Sequence, residues 1–90
     1  MYKERKEMKL IKFYADWCQP CKMLSKVMEE IEFPYPVESI DIDNDTESAL
    51  HYGIRSVPTL LLIDENGNVT KRLNGFMKQK QLQESLGLGT

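Results

Sequence analysis

Thr59-Leu60-Leu61-Leu62-Ile63 is a continuous apolar run with no polar face. Such a run reads as a central strand buried on both sides, and a strand of that kind needs cover above and below its sheet. The rest of the chain supplies it. Leu10 to Ala15 reads as a strand, with Ile11, Phe13 and Ala15 on one face and Leu10, Lys12 and Tyr14 on the other. From Cys18 or Gln19 to about Glu32, the residues Met23, Leu24, Val27, Met28 and Ile31 recur at helical spacing. Pro20 falls in the first turn, where its absent N–H costs little, and Pro34 and Pro36 bound the exit. Val37 to Ile42 reads as a second strand. Asn44, with Glu47 three residues on, marks a short helix stopping at Gly53. Asn66-Gly67 is a hairpin signal into a strand over Val69 to Leu73, broken by Gly75. Lys78 to Leu86 is a last helix, closed by Gly87. The order β-α-β-α-β-β-α gives an α/β fold. A right-handed crossover makes the first two strands parallel, the hairpin makes the last two antiparallel, and helices cover both faces of a four-stranded mixed sheet.

Ninety residues form a single domain, 1–90, with a charged lead-in over 1–8, frayed or a short helical turn, and a tail over 87–90. Twelve Lys and Arg are interspersed with fourteen Asp and Glu, for a net charge of −2, so no basic footprint points to nucleic acid. No apolar run approaches the ~20 residues that span a bilayer, so no membrane partner is expected. Met1 to Met8 has no apolar signal-peptide core. A cytoplasmic, monomeric protein is expected, in a compartment where structural disulfides do not persist.

Both cysteines lie in Trp17-Cys18-Gln19-Pro20-Cys21-Lys22, where a strand ends and a helix begins. Open α/β sheets place their sites at such strand ends. A helix N-terminus offers free N–H donors and about half a positive charge, which favour thiolate over thiol. Cys18 is therefore expected to attack a substrate disulfide, and Cys21, one turn in and more buried, to resolve the mixed disulfide. Lys22 adds to this if its amine turns toward the sulfur. Two other readings stay open. A structural zinc site needs four ligands, and beyond this pair the chain has only His51, so carboxylates or a second subunit's cysteines would have to complete it. A structural disulfide would close too short a loop to stabilise much.

Phe13-Tyr14-Ala15-Asp16-Trp17-Cys18-Gln19-Pro20-Cys21-Lys22-Met23 resembles the active-site segment of the thioredoxin family. Tyr52-Gly53-Ile54-Arg55-Ser56-Val57-Pro58-Thr59-Leu60 resembles its second signature, and the Gly75 region a third, looser one. The resemblance spans roughly Lys9 to Leu86. It implies a thioredoxin-like fold and a dithiol–disulfide oxidoreductase that reduces protein disulfides through a Cys18–Cys21 redox-active disulfide. No bound cofactor or metal is implied; NADPH acts indirectly, through a thioredoxin reductase-like electron donor. A proline opening a strand is trans by default, yet the resemblance implies that Pro58 is cis and faces the cysteines. Val57 would then offer its backbone to an extended substrate. Trp17, Gln19, Pro20, Val57, Pro58 and Gly75, with Phe76, would form the substrate-binding collar; the plain alternative for Trp17 is packing on the sheet edge. Two rivals remain: a glutaredoxin-like reductase fed by glutathione, and a binding subunit with incidental redox activity.

The chain also departs from the family pattern. The residues before Leu10 are too few for the further strand and helix typical of the family, so a trimmed sheet with one more exposed edge is expected. Lys12 stands where the family usually has a buried Asp that moves a proton for the resolving cysteine, and Ser39 stands where its companion Lys is usual. Asp41, on the strand face of Ser39, is a candidate partner for Lys12; alternatively the Lys12 stem packs and its amine reaches solvent. Lys12, Lys22 and Asp41 are thus candidate modulators of thiol pKa. Gln19 replaces a usual Gly between the cysteines, and Lys26 a usual kinking Pro, so a straighter first helix is expected.

Overall fold

In the computed structural model, residues 7–88 are described; most of the charged lead-in and the end of the tail lie outside them. The elements are β1 (Lys9–Tyr14), α1 (Gln19–Glu29), β2 (Val37–Asp41), α2 (Thr46–His51), β3 (Thr59–Ile63), β4 (Val69–Asn74) and α3 (Gln79–Ser85). The sheet order is β2-β1-β3-β4. β1 runs parallel to β2, with Lys12 opposite Ser39. It runs antiparallel to β3, with Lys12 opposite Leu60. β3 and β4 are antiparallel, with a register shift at Leu62 and Ile63.

All five residues of β3 are buried, as its composition requires. The two faces of the sheet are covered unequally. On one, Leu10, Leu60 and Leu62 meet Leu24, Met28 and Ile31 from α1 and its exit, and Leu82 and Leu86 from α3 and its cap. On the other, Ile11, Phe13, Leu61 and Ile63 pack under Ile40, Ile42, Tyr52, Ile54 and Val57. α2 contributes no buried residue, and Leu50 on it is 81% exposed. Its C-terminal end is held by the Arg72 guanidinium, which donates to the Tyr52 carbonyl at 2.7 Å. Among the described residues β2 is an edge strand, and its first three residues are exposed.

Three local features differ from the sequence expectation. α1 ends at Glu29 rather than Glu32, because Glu30 and Ile31 donate to Val27 and Met28, three residues back, and so tighten the last turn. It runs continuously through Lys26. The cap of α2 is Asp45, not Asn44. The Asp45 carboxylate accepts from the Ser48 N–H at 3.0 Å and the Ser48 hydroxyl at 2.7 Å, whereas the Asn44 amide donates to Asp41 at 3.3 Å. The hairpin forms, but not as a two-residue turn. The Asp64 carboxylate accepts N–H bonds from Asn66 and Asn68, both at 2.9 Å, and only Gly67 takes a positive φ, of 88°.

The N–H and hydroxyl of Ser48 hold Asp45 below its ordinary value of 3.8, and the Asn68 and Asn66 N–H groups do the same for Asp64. Between each folded-state pKa and 3.8 the unfolded chain binds more protons than the native one. Stability is therefore full above that window and falls as pH drops through it. Asp45→Asn keeps a cap acceptor but cannot titrate there. Urea midpoints measured from about pH 5 to about pH 2 should fall less steeply in this variant than in the parent.

Candidate active site

β1 stops at Tyr14, and the chain turns through Ala15, Asp16 and Trp17. The Cys18 N–H closes this turn on the Ala15 carbonyl at 3.1 Å. Cys18 is the N-cap of α1: its backbone is extended (φ −93°, ψ 105°), and its sulfur accepts the Cys21 N–H at 3.1 Å. A disulfide sulfur thus occupies the place usually held by a capping oxygen. Pro20, in the first turn, gives up an N–H that would have had no helical partner. Cys18 and Cys21 are joined as a disulfide, with Cα atoms 5.3 Å apart.

The expected contrast in burial between the two cysteines is slight. Cys18 is 4% and Cys21 2% exposed. What separates them is position on the helix: Cys18 is the cap and Cys21 lies within the first turn. Both pack on Ala15, with Tyr14, Ile42 and Val57 around them. Val57 is joined to Pro58 by a cis peptide bond. Pro58 is buried, and its carbonyl accepts the Gly75 N–H at 2.9 Å. The chain at Val57 and the start of the Gly75 loop are thereby tied together beside the disulfide. Thr59, the first residue of β3, is buried and donates to the Ser56 carbonyl at 2.8 Å, fixing the approach to Pro58.

Trp17 is 70% exposed rather than packed on the sheet edge. Its indole N–H donates to the Asp43 carboxylate at 3.0 Å. Asp43 follows β2, in a turn organised by Asp41, which accepts the Asp43 N–H at 2.9 Å and the Asn44 amide. Asp41 is therefore not the partner of Lys12; it shapes the turn that holds Trp17. Gln19, Pro20 and Phe76 are exposed around the site.

Lys12 reaches the other way, toward α1, where its ammonium donates to the Ser25 hydroxyl at 2.5 Å. Burial lowers its pKa from the ordinary 10.5, and the negative charge of Glu29 opposes that shift. A groove of about 410 Å3 runs between α1 and the β1–β2 edge and reaches Cys21; Lys22 also lines it. Asp43, Ser25 and Glu29 do not stand out in the sequence. For Ser25 and Glu29 the available signal was their spacing, four and eight residues after Cys21, which puts all three on one helix face.

A bonded cysteine pair at the strand-to-helix junction, one residue the helix cap and the other in its first turn, with the Val57-Pro58 segment packed against it, defines a dithiol–disulfide oxidoreductase. The chain belongs to the thioredoxin family, whose model matches residues 2–87. It is 39% identical over 79 residues to the thioredoxin of Bacillus subtilis, covering 83% of this chain and 75% of that one. It is 36% identical over 89 residues to the thioredoxin of Buchnera aphidicola, covering 94% and 81%. A solved thioredoxin variant from Halobacterium salinarum superposes with a TM-score of 0.78 at 36% identity, over 88% of this chain and 71% of that one.

Gly75 carries a φ of 86°, a backbone region that costs a residue with a Cβ about 1–2 kcal/mol. No atom lies within 4 Å of where that Cβ would stand, so the cost is one of conformation alone. Gly75→Ala should lower unfolding free energy by about 1–2 kcal/mol, read from urea denaturation of the oxidised protein.

Proposed function

We propose that Cys18 is the attacking cysteine and Cys21 the resolving one in the reduction of protein disulfides. The observation that carries this assignment is the place of Cys18 as the cap of α1, where the Cys21 N–H donates to its sulfur and the positive end of the helix dipole faces it. In the reduced protein the Cys18 thiolate attacks one sulfur of the substrate disulfide. A Cys18–substrate bond forms, and the other substrate sulfur leaves as thiolate. The Cys21 thiolate then attacks the Cys18 sulfur, the second substrate thiolate leaves, and the Cys18–Cys21 disulfide remains. Two electrons pass to the substrate.

Low exposure of both sulfurs means that the substrate chain must be guided onto them. The Val57 backbone enters no hydrogen bond among the described residues, which suits strand-like pairing with an extended substrate. Trp17 supplies an exposed aromatic anchor on one side, and Gly75 and Phe76 border the other. Gln19 and Pro20 form the exposed floor between the cysteines. The electron donor that fits the family is a thioredoxin reductase-like flavoenzyme drawing on NADPH, in the cytoplasm; among the described residues no helix is long and apolar enough to cross a membrane.

Insulin reduction coupled to thioredoxin reductase and NADPH tests this reading, with glutathione as a parallel donor. Turnover is expected with the reductase and not with glutathione alone; the reverse would make the protein glutaredoxin-like. Cys18→Ser should abolish turnover, and Cys21→Ser should trap a mixed disulfide with insulin. Trp17→Ala should raise KM for insulin about tenfold, the equivalent of about 1.4 kcal/mol, and leave the rate with a small aromatic disulfide within about twofold.

A further inference from the structure

Helix α1 carries a polar column beside the apolar stripe that it packs on the sheet. Cys21, Ser25 and Glu29 follow one another at intervals of four residues, so they stack one turn apart. All three line the groove of about 410 Å3, facing Lys12 on β1 and Ser39 on β2. Lys12 occupies the middle. Its ammonium is fixed on the Ser25 hydroxyl at 2.5 Å and lies 5.6 Å from the centre of the Tyr14 ring. Among the described residues the one ion pair joins Lys9 to Glu38 at 3.8 Å, so Lys12 has no contact counter-ion. Glu29 acts on it only through space, from a turn further along.

A half-buried cation held by a hydroxyl beside an aromatic ring, with no carboxylate in contact, is poorly neutralised in the disulfide form. Reduction places a titratable sulfur on the same groove wall, one helical turn from Ser25. We propose that Lys12 is a positioning residue for the redox chemistry: its ammonium, fixed by Ser25, favours the thiolate of Cys21 in the reduced protein. The coupling is reciprocal, so a Cys21 thiolate holds the Lys12 proton more tightly by the same free energy. Lys12 exchanges no atom with the substrate. In the resolving step the Cys21 proton passes to groove water, and the Cys21 sulfur bonds to Cys18. The electron pair of the broken bond leaves with the substrate sulfur.

The other charges on the groove do not take over this role. Lys22 and Lys26 on α1 and Asp16 in the turn are exposed, where solvent and salt screen them. Tyr14 on β1 and Glu29 on α1 bring no positive charge, and β2 contributes only the neutral Ser39. Burial lowers the Lys12 pKa and Glu29 raises it. A Cys21 thiolate would add to the Glu29 effect.

The kinetic consequence rests on Cys21 being the resolving cysteine, but the electrostatic coupling can be measured without it. In a Cys18→Ser background Cys21 is the sole thiol of the chain. Its pKa is read from thiolate absorbance against pH. Lys12→Met, which keeps the stem, should raise that pKa by about one unit, and Lys12→Arg should leave it within about 0.3 of the parent. No change in Lys12→Met overturns the proposal. So does an equal rise in Lys12→Arg, which would make packing rather than charge the cause. With both cysteines present, a small aromatic thiol is loaded as a mixed disulfide on Cys18. Its release at about pH 7 should slow up to about tenfold in Lys12→Met and be restored in Lys12→Arg. A mixed disulfide that persists in the parent protein would overturn the resolving role of Cys21, and the titration would still decide the coupling.

Discussion

The packing of α1 across the sheet is the constraint on which the site depends. Leu24, Met28 and Ile31 lock the helix and its exit onto Leu10, Leu60 and Leu62. With that contact set, the start of α1 must fall just beyond the end of β1, and the turn from Ala15 to Cys18 has little freedom. Cys18 becomes the cap, and Cys21 is carried beneath it against Ala15. The same contact turns the Ser25 face of the helix toward β1, within reach of Lys12. A shift of α1 by one residue along its axis, about 1.5 Å, would disturb the cap, the disulfide and the Lys12 contact together.

Much of this was legible from periodicity. β3 has the bounds its apolar run implies, and β1 differs by one residue at each end, because alternation and burial act locally and strongly there. The cysteine motif, its junction and the Val57-Pro58 segment were equally plain. The differences arise where neighbouring residues compete for one role. Asn44 and Asp45 can both cap α2; Asp45 does so because Asp41 has already claimed the Asn44 side chain. α1 stops early because its last N–H groups reach back three residues, a choice that helix spacing does not encode.

Contacts between elements were the least legible. Asp41 was a candidate partner for Lys12 because it shares the strand face of Ser39. The β1–β2 register instead sets Asp41 opposite Tyr14, and its carboxylate turns into the loop. Lys12 is drawn to α1 by a helix rotation that only the apolar packing fixes. Asp43 was hidden for a similar reason. Its link to Trp17 spans 26 positions and joins two loops, each of which looks unremarkable alone.

The unequal cover of the two sheet faces gives the fold one firmly packed face and one compliant face. The cysteines sit on the helix that contributes Cys21, Leu24 and Met28 to the buried interior. Val57 lies in the loop after α2, a helix with no buried residue of its own. Local opening draws on the least packed elements, so α2 yields at lower free energy than α1, while Val57 stays tied through Pro58 and Gly75. The two sulfurs thus keep their geometry on the well-packed helix, while opening is confined to α2 on the other face of the sheet. A small fold can in this way hold one chemically demanding pair rigid while another of its helices remains free to open.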